Sequence, residues 1–79
     1  MLKTLIDLKP GEKARVKSVT AQGTIRRRIV DMGLVPGTEI EMERYAPLGD
    51  PVELKLNDYH LSLRKAEADT IILESLEEI

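Results

Sequence analysis

Twice in this chain a Leu-x-Pro-Gly tetrad runs straight into alternating apolar and charged residues. Leu8-Lys9-Pro10-Gly11 precedes Ala14 and Val16, set between Lys13, Arg15 and Lys17. Leu34-Val35-Pro36-Gly37 precedes Ile40 and Met42, set between Glu39, Glu41 and Glu43. Proline fixes φ for the first central turn position and glycine accepts positive φ at the second, so each tetrad predicts a type II turn. Alternation with a period of two predicts a strand with one face buried. The two copies are one turn-into-strand device used twice, not a repeat array, because no third copy follows.

The same alternation predicts five strands: residues 12–20, 38–45, 52–56, 59–63 and 70–73. Val19 is out of step with Val16, which places a bulge or the strand end near Ser18. Val52, Leu54 and Leu56, and then Tyr59, Leu61 and Leu63, are read as core-facing, with His60 and Ser62 outside. Asn57-Asp58 joins those strands as a two-residue hairpin turn. Residues 4–8 are an apolar lead-in, 46–51 a loop tip, 65–69 a single helical turn, and 74–79 an acidic, frayed tail.

One helix is expected, beginning at Ile25 after a loop over residues 21–24. Ile25, Ile29 and Met32 share a stripe, and Gly33 is the left-handed stop. Val30 lies off the stripe. Arg26, Arg27 and Arg28 fall in or near the first turn, where the helix dipole disfavours cations, so they are read as serving a partner or a buried carboxylate. The plainer reading is a solvated face with an Arg27–Asp31 ion pair. Short strands with one helix between the first two and a helical turn before the last predict a mostly β fold, a small, strongly bent SH3-like barrel.

At 79 residues the chain holds one domain, and without cysteine no disulfide or thiolate site staples it. A net charge of −2 argues against a nucleic-acid binder. Residues 1–12 do not read as a signal peptide, and no stretch has the roughly 20 apolar residues of a membrane span. The expectation is a soluble cytoplasmic protein with no direct membrane insertion. There is no Phe or Trp and only two Tyr, so aromatic grooves, cages and base-stacking platforms cannot be built well. One His, no Cys and no glycine-rich phosphate motif leave an enzyme without its parts.

The run RRRIVDMGLVPGTEIE, then APLGDPVELKL, then YHLSLRKAEAD resembles the FeoA family of small ferrous iron transport accessory proteins, over residues 5–73. The resemblance implies an SH3-like barrel that works beside FeoB, the membrane ferrous iron transporter with a cytosolic GTPase domain. Location would then be cytoplasmic, peripheral to the inner membrane through that partner. Related modules are appended to iron-dependent repressors, so a metal-responsive regulatory module is the alternative; this chain has no helix-turn-helix region.

Ferrous iron favours imidazole together with carboxylate. His60 is the one imidazole, and Glu53 and Asp58 are the acids expected near it, so these three are the metal candidates; a histidine that binds nothing is the plainer reading. No cofactor is required otherwise. For a partner surface, Val30, Leu34, Pro47 and Leu48 are candidate apolar contacts beside Arg26, Arg27 and Arg28, with Val35 at the margin. Alternatively, Leu34 and Leu48 plug the barrel ends. Homo-oligomer formation is left open.

Overall fold

The computed structural model describes residues 3–56 and 59–75. Six strands, β1 (Lys3–Thr4), β2 (Lys13–Val19), β3 (Glu39–Tyr45), β4 (Val52–Leu56), β5 (Tyr59–Leu63) and β6 (Ile71–Ser75), form one antiparallel sheet in the order β1-β6-β2-β3-β4-β5. A 3-10 turn (Leu5–Asp7) follows β1. Helix α1 (Gly23–Asp31) joins β2 to β3, and α2 (Lys65–Ala68) joins β5 to β6.

Both Pro-Gly turns form, with Gly11 at φ 92° and Gly37 at φ 96°. Glu12 N–H donates to the Lys9 carbonyl at 2.9 Å and Thr38 N–H to the Val35 carbonyl at 3.0 Å. Each turn also docks on the strand launched by the other. Gly11 N–H donates to Met42 O at 2.7 Å, and Gly37 N–H to Val16 O at 2.8 Å. The repeated device is therefore a reciprocal brace, and it sets the β2–β3 register, Ala14 opposite Ile40.

The bulge expected near Ser18 is present, between Val16 and Ser18 where β2 pairs with β6. A second lies between Met42 and Arg44 on β3. Bulges bend a strand and raise its twist, which is what a six-stranded sheet needs to wrap one core. Ala14, Val16, Ile40, Met42, Val52, Leu54, Leu56, Leu63, Ile71 and Leu73 fill that core, joined by Leu5, Leu8, Ile29 and Leu34 from the connections.

Four expectations need correction. The sixth strand is β1, read from sequence only as a lead-in; two residues are too short to show a period. The last strand runs to Ser75, because Arg15 and Ala14 pair with Glu74 and Ser75, so residues 74 and 75 belong to the sheet and not to the expected tail. Tyr59 is about half exposed, not in the core. It opens an edge strand, and its hydroxyl stays at the rim to donate to Met32 O at 3.0 Å. The helix starts at Gly23, two residues early, which moves Arg27 and Arg28 beyond the first four residues, and it ends at Asp31, so Arg28 lies in the last turn, where a cation is favoured. The expected 57–58 turn and residues 76–79 lie outside the described residues.

On the outer face the charges pair off across the strands. Arg15 lies between Glu74 and Glu39, and Glu41 between Lys13 and Lys55. Of these ladder neighbours only Arg15 and Glu39 close to ion-pair range, at 3.8 Å, and further along the same face Arg44 lies 3.2 Å from Glu53. A face that alternates in sign this way presents no basic stripe.

Candidate partner-binding surface

Helix α1 touches the core mainly through its C-terminal end. Ile29 is fully buried and Met32 partly so, but Ile25, expected on the same stripe, is 48 % exposed. Arg26 reaches back to the end of β2, its Nη1 donating to Val19 O at 2.6 Å. Arg28 reaches the other way, to Glu67 on α2: Nη1 to Oε2 is 3.0 Å, with the Glu67 side chain 8 % exposed. The arginine triplet thus includes the buried-carboxylate partner that the sequence left open, and it is Arg28. The expected Arg27–Asp31 pair is not formed, and Arg27 makes no ion pair or side-chain hydrogen bond with a described residue.

Glu67 is the one buried charged residue among those described. Its Oε1 accepts the Arg64 N–H at 3.1 Å, which caps α2, and its Oε2 takes Arg28. One carboxylate therefore closes a helix start and ties α1 down. The signal for this was in the sequence: an acid three residues after the Arg64 cap position is the capping-box spacing. Lys65 N–H donates to Asp50 Oδ1 at 2.8 Å, fastening α2 to the 46–51 loop. That loop is closed by Gly49 N–H to Ala46 O at 2.7 Å and Ala46 N–H to Pro51 O at 3.0 Å, with a cis Asp50–Pro51 peptide.

Of the apolar partner candidates, Leu48 is 95 % exposed at the loop tip, and Pro47 and Val30 are exposed as well. Leu34 is fully buried and is corrected: Leu34 N–H bonds back to Ile29 O at 3.2 Å, and the side chain fills the core just beyond the helix. The two leucines proposed as plugs therefore divide, Leu34 inside and Leu48 outside. Nor do the candidates form a single patch. The 46–51 loop closes the β3–β4 hairpin where Tyr45 faces Val52, whereas α1 fills the β2–β3 connection at the other end of β3. Helix α2, with Arg64, Lys65 and Ala66 exposed, bridges the two.

The metal candidates do not converge. His60 lies opposite Lys55 in the ladder, and Glu53 lies opposite Ser62. Glu53 is held by Arg44 (3.2 Å from Nε), and His60 Nδ1 sits 2.7 Å from Glu43, an acid the sequence did not single out; the β3 bulge leaves Glu43 out of the ladder. Asp58 lies outside the described residues. Among those described, no three His or acidic side chains form a metal-binding group, and no buried side-chain polar atom lacks a partner.

Residues 3–75 match the FeoA domain family. The chain belongs to the FeoA family. A curated relative, the Fe(2+) transport protein A/Fe(2+) transporter FeoB fusion protein of Porphyromonas gingivalis, is 40 % identical over 70 residues; these are 89 % of this chain but 8 % of that protein. The solution structure of a FeoA-like protein from Clostridium acetobutylicum matches with TM-score 0.87 and 44 % identity, covering 99 % of this chain and 91 % of that one. Stenotrophomonas maltophilia FeoA, an SH3 domain protein solved with zinc, matches with TM-score 0.78 and 31 % identity, over 90 % of this chain and 88 % of that one. The fold extends further: a manganese-dependent transcriptional repressor superposes on 95 % of this chain, by 37 % of its own length, with TM-score 0.87 at 14 % identity. The SH3-like architecture and the link to ferrous iron transport expected from sequence are thereby shown. No helix among the described residues is long and apolar enough to cross a membrane.

Proposed function

We propose that this chain is a non-enzymatic accessory protein of ferrous iron uptake. It docks on the cytosolic part of a FeoB-type transporter through α1 and the 46–51 loop and acts there by protein contact. The observation that carries this reading is the fusion relative, in which the same domain shares a polypeptide with FeoB. The surface supports it. A short helix that commits one fully buried side chain to its own core leaves Ile25, Arg27 and Val30 for another molecule, and Leu48 is exposed at the far side of α2. Apolar contacts with arginine beside them are the composition of interface centres. Ferrous iron is cargo of the transporter in this account, not a ligand of the chain, which works in the cytoplasm at the inner membrane through its partner.

The test is affinity capture of the transporter from the same organism. The intact chain retains it; Arg27→Glu or Leu48→Asp releases it while the melting curve stays in place. Retention by both variants would refute the docking surface. The alternative, a metal-responsive regulatory module, draws on the zinc-bound relative, but the donors described here are engaged with other side chains. A calorimetric Fe²⁺ or Mn²⁺ titration giving heat that His60→Ala abolishes would put that module in place of the adaptor.

A further inference from the structure

We infer that β5 is a self-pairing edge, through which two copies of this chain join as an antiparallel two-fold dimer centred on Leu61. A strand at the border of a sheet has a row of backbone N–H and C=O groups turned away from its neighbour, and proteins blunt such rows with short strands, charges, proline or bulges. The other border, β1, is two residues long and turns at once into a 3-10 helix. β5 has none of these devices. Tyr59-His60-Leu61-Ser62-Leu63 carries no Lys, Arg, Asp, Glu or Pro, and its register with β4 is unbroken over all five residues. Tyr59, His60 and Ser62 are exposed.

Charge across the seam selects the occupant and the register. On the outer face His60 stands beside Lys55 and Ser62 beside Glu53. A two-fold axis at His60 would align Lys55 and His60 of one copy with the same pair of the other. An axis at Ser62 would align the two Glu53 residues. An axis at Leu61 instead sets His60 of one copy, with Lys55 and Glu43 beside it, against Ser62 of the second, with Glu53 and Arg44 beside it, so unlike groups meet across the seam and neither like pair is opposed to itself. On the inner face it sets Leu61 against Leu61 and Tyr59 against Leu63, an apolar line. A second copy thus satisfies its own edge with no like charges directly opposed. The seam is small, so association is weak and concentration-dependent.

Sedimentation velocity of the full chain, from about 10 μM to about 1 mM, tests this. The wild type is expected to shift from monomer to dimer over that range, with amide resonances of residues 59–63 broadening as it does. Both outer-face side chains are exposed, but both variants also remove the 2.7 Å contact of His60 with Glu43, so each is first shown by circular dichroism to melt as the wild type does, and its dimerisation is compared with that of His60→Ala. His60→Lys with Ser62→Lys sets cation against cation twice and is expected to weaken dimerisation by about tenfold. His60→Glu with Ser62→Lys sets opposite charges together and is expected to tighten it by about the same factor. A wild type that stays monomeric throughout, or two double variants that shift in the same direction, overturns the inference.

Discussion

Glu67 shows how much one side chain does in a domain this small. It is buried, caps α2 through the Arg64 N–H, and anchors α1 through Arg28. Glu67→Ala leaves the Arg64 donor without its acceptor and is expected to cost about 2 kcal/mol in urea denaturation. Glu67→Gln keeps that acceptor and loses only a half-exposed ion pair, so about 1 kcal/mol or less is expected. Equal costs for the two variants would contradict the dual role. Tyr45 supplies a pH signature. Its hydroxyl lies 2.9 Å from Ile6 O and within reach of Leu8 O. Burial, and after it the charges of Asp7 and Glu12, hold its pKa above the usual tyrosine value. Because the folded state keeps this proton longer than the unfolded chain does, the stabilisation is complete below the ordinary tyrosine pKa of about 10 and is lost as pH rises through the folded value. Alkaline unfolding is expected to be less steep in Tyr45→Phe. Only the cap was legible in the sequence, as the spacing of Glu67 from Arg64; the Arg28 bond to Glu67 and the Tyr45 bonds to Ile6 O and Leu8 O come from which distant groups the fold brings together.

At the scale of elements, the sequence was most readable where a local rule and the fold agree. The Pro-Gly turns, the four internal strands and the bulge near Ser18 all follow from residue-level constraints on φ and from a period of two. The helix was readable as an element but not in its seating. Ile25, Ile29 and Met32 share a stripe, yet the stripe meets the core at one end only, and Arg26 and Arg28 tie the helix to Val19 and Glu67, partners that no periodicity reveals. The outer pairing of His60 was likewise hidden, because Glu43 reaches it from two strands away after a bulge that shows in no short window. The helix stop is now a sharp test. Gly33 has φ 97°, and a Cβ there would lie 2.8 Å from the Tyr59 hydroxyl and 3.3 Å from Leu56. Gly33→Ala is expected to lower stability by about 1–2 kcal/mol, combining left-handed strain with that crowding. In a double-mutant cycle, Tyr59→Phe removes the hydroxyl and is expected to recover part of the cost. Strict additivity would show that the contact contributes nothing.

For the whole molecule, the arrangement divides the surface by task. The outer face of β2, β3 and β4 neutralises its own charges along the ladder, and α1, α2 and the 46–51 loop carry the groups the fold leaves unused. Leu48 is so exposed that Leu48→Asp is expected to move stability by no more than about 0.5 kcal/mol while weakening transporter binding. An unfolded variant would remove that separation. The central proposal, that α1 and the 46–51 loop dock on a FeoB-type transporter, is tested most directly by titrating the ¹⁵N-labelled chain with the cytosolic part of such a transporter and mapping the amide shifts. The account predicts perturbations concentrated on residues 23–32 and 46–51 at saturation. Perturbations confined to the outer face of β2 and β3, or none at saturating partner, would contradict it.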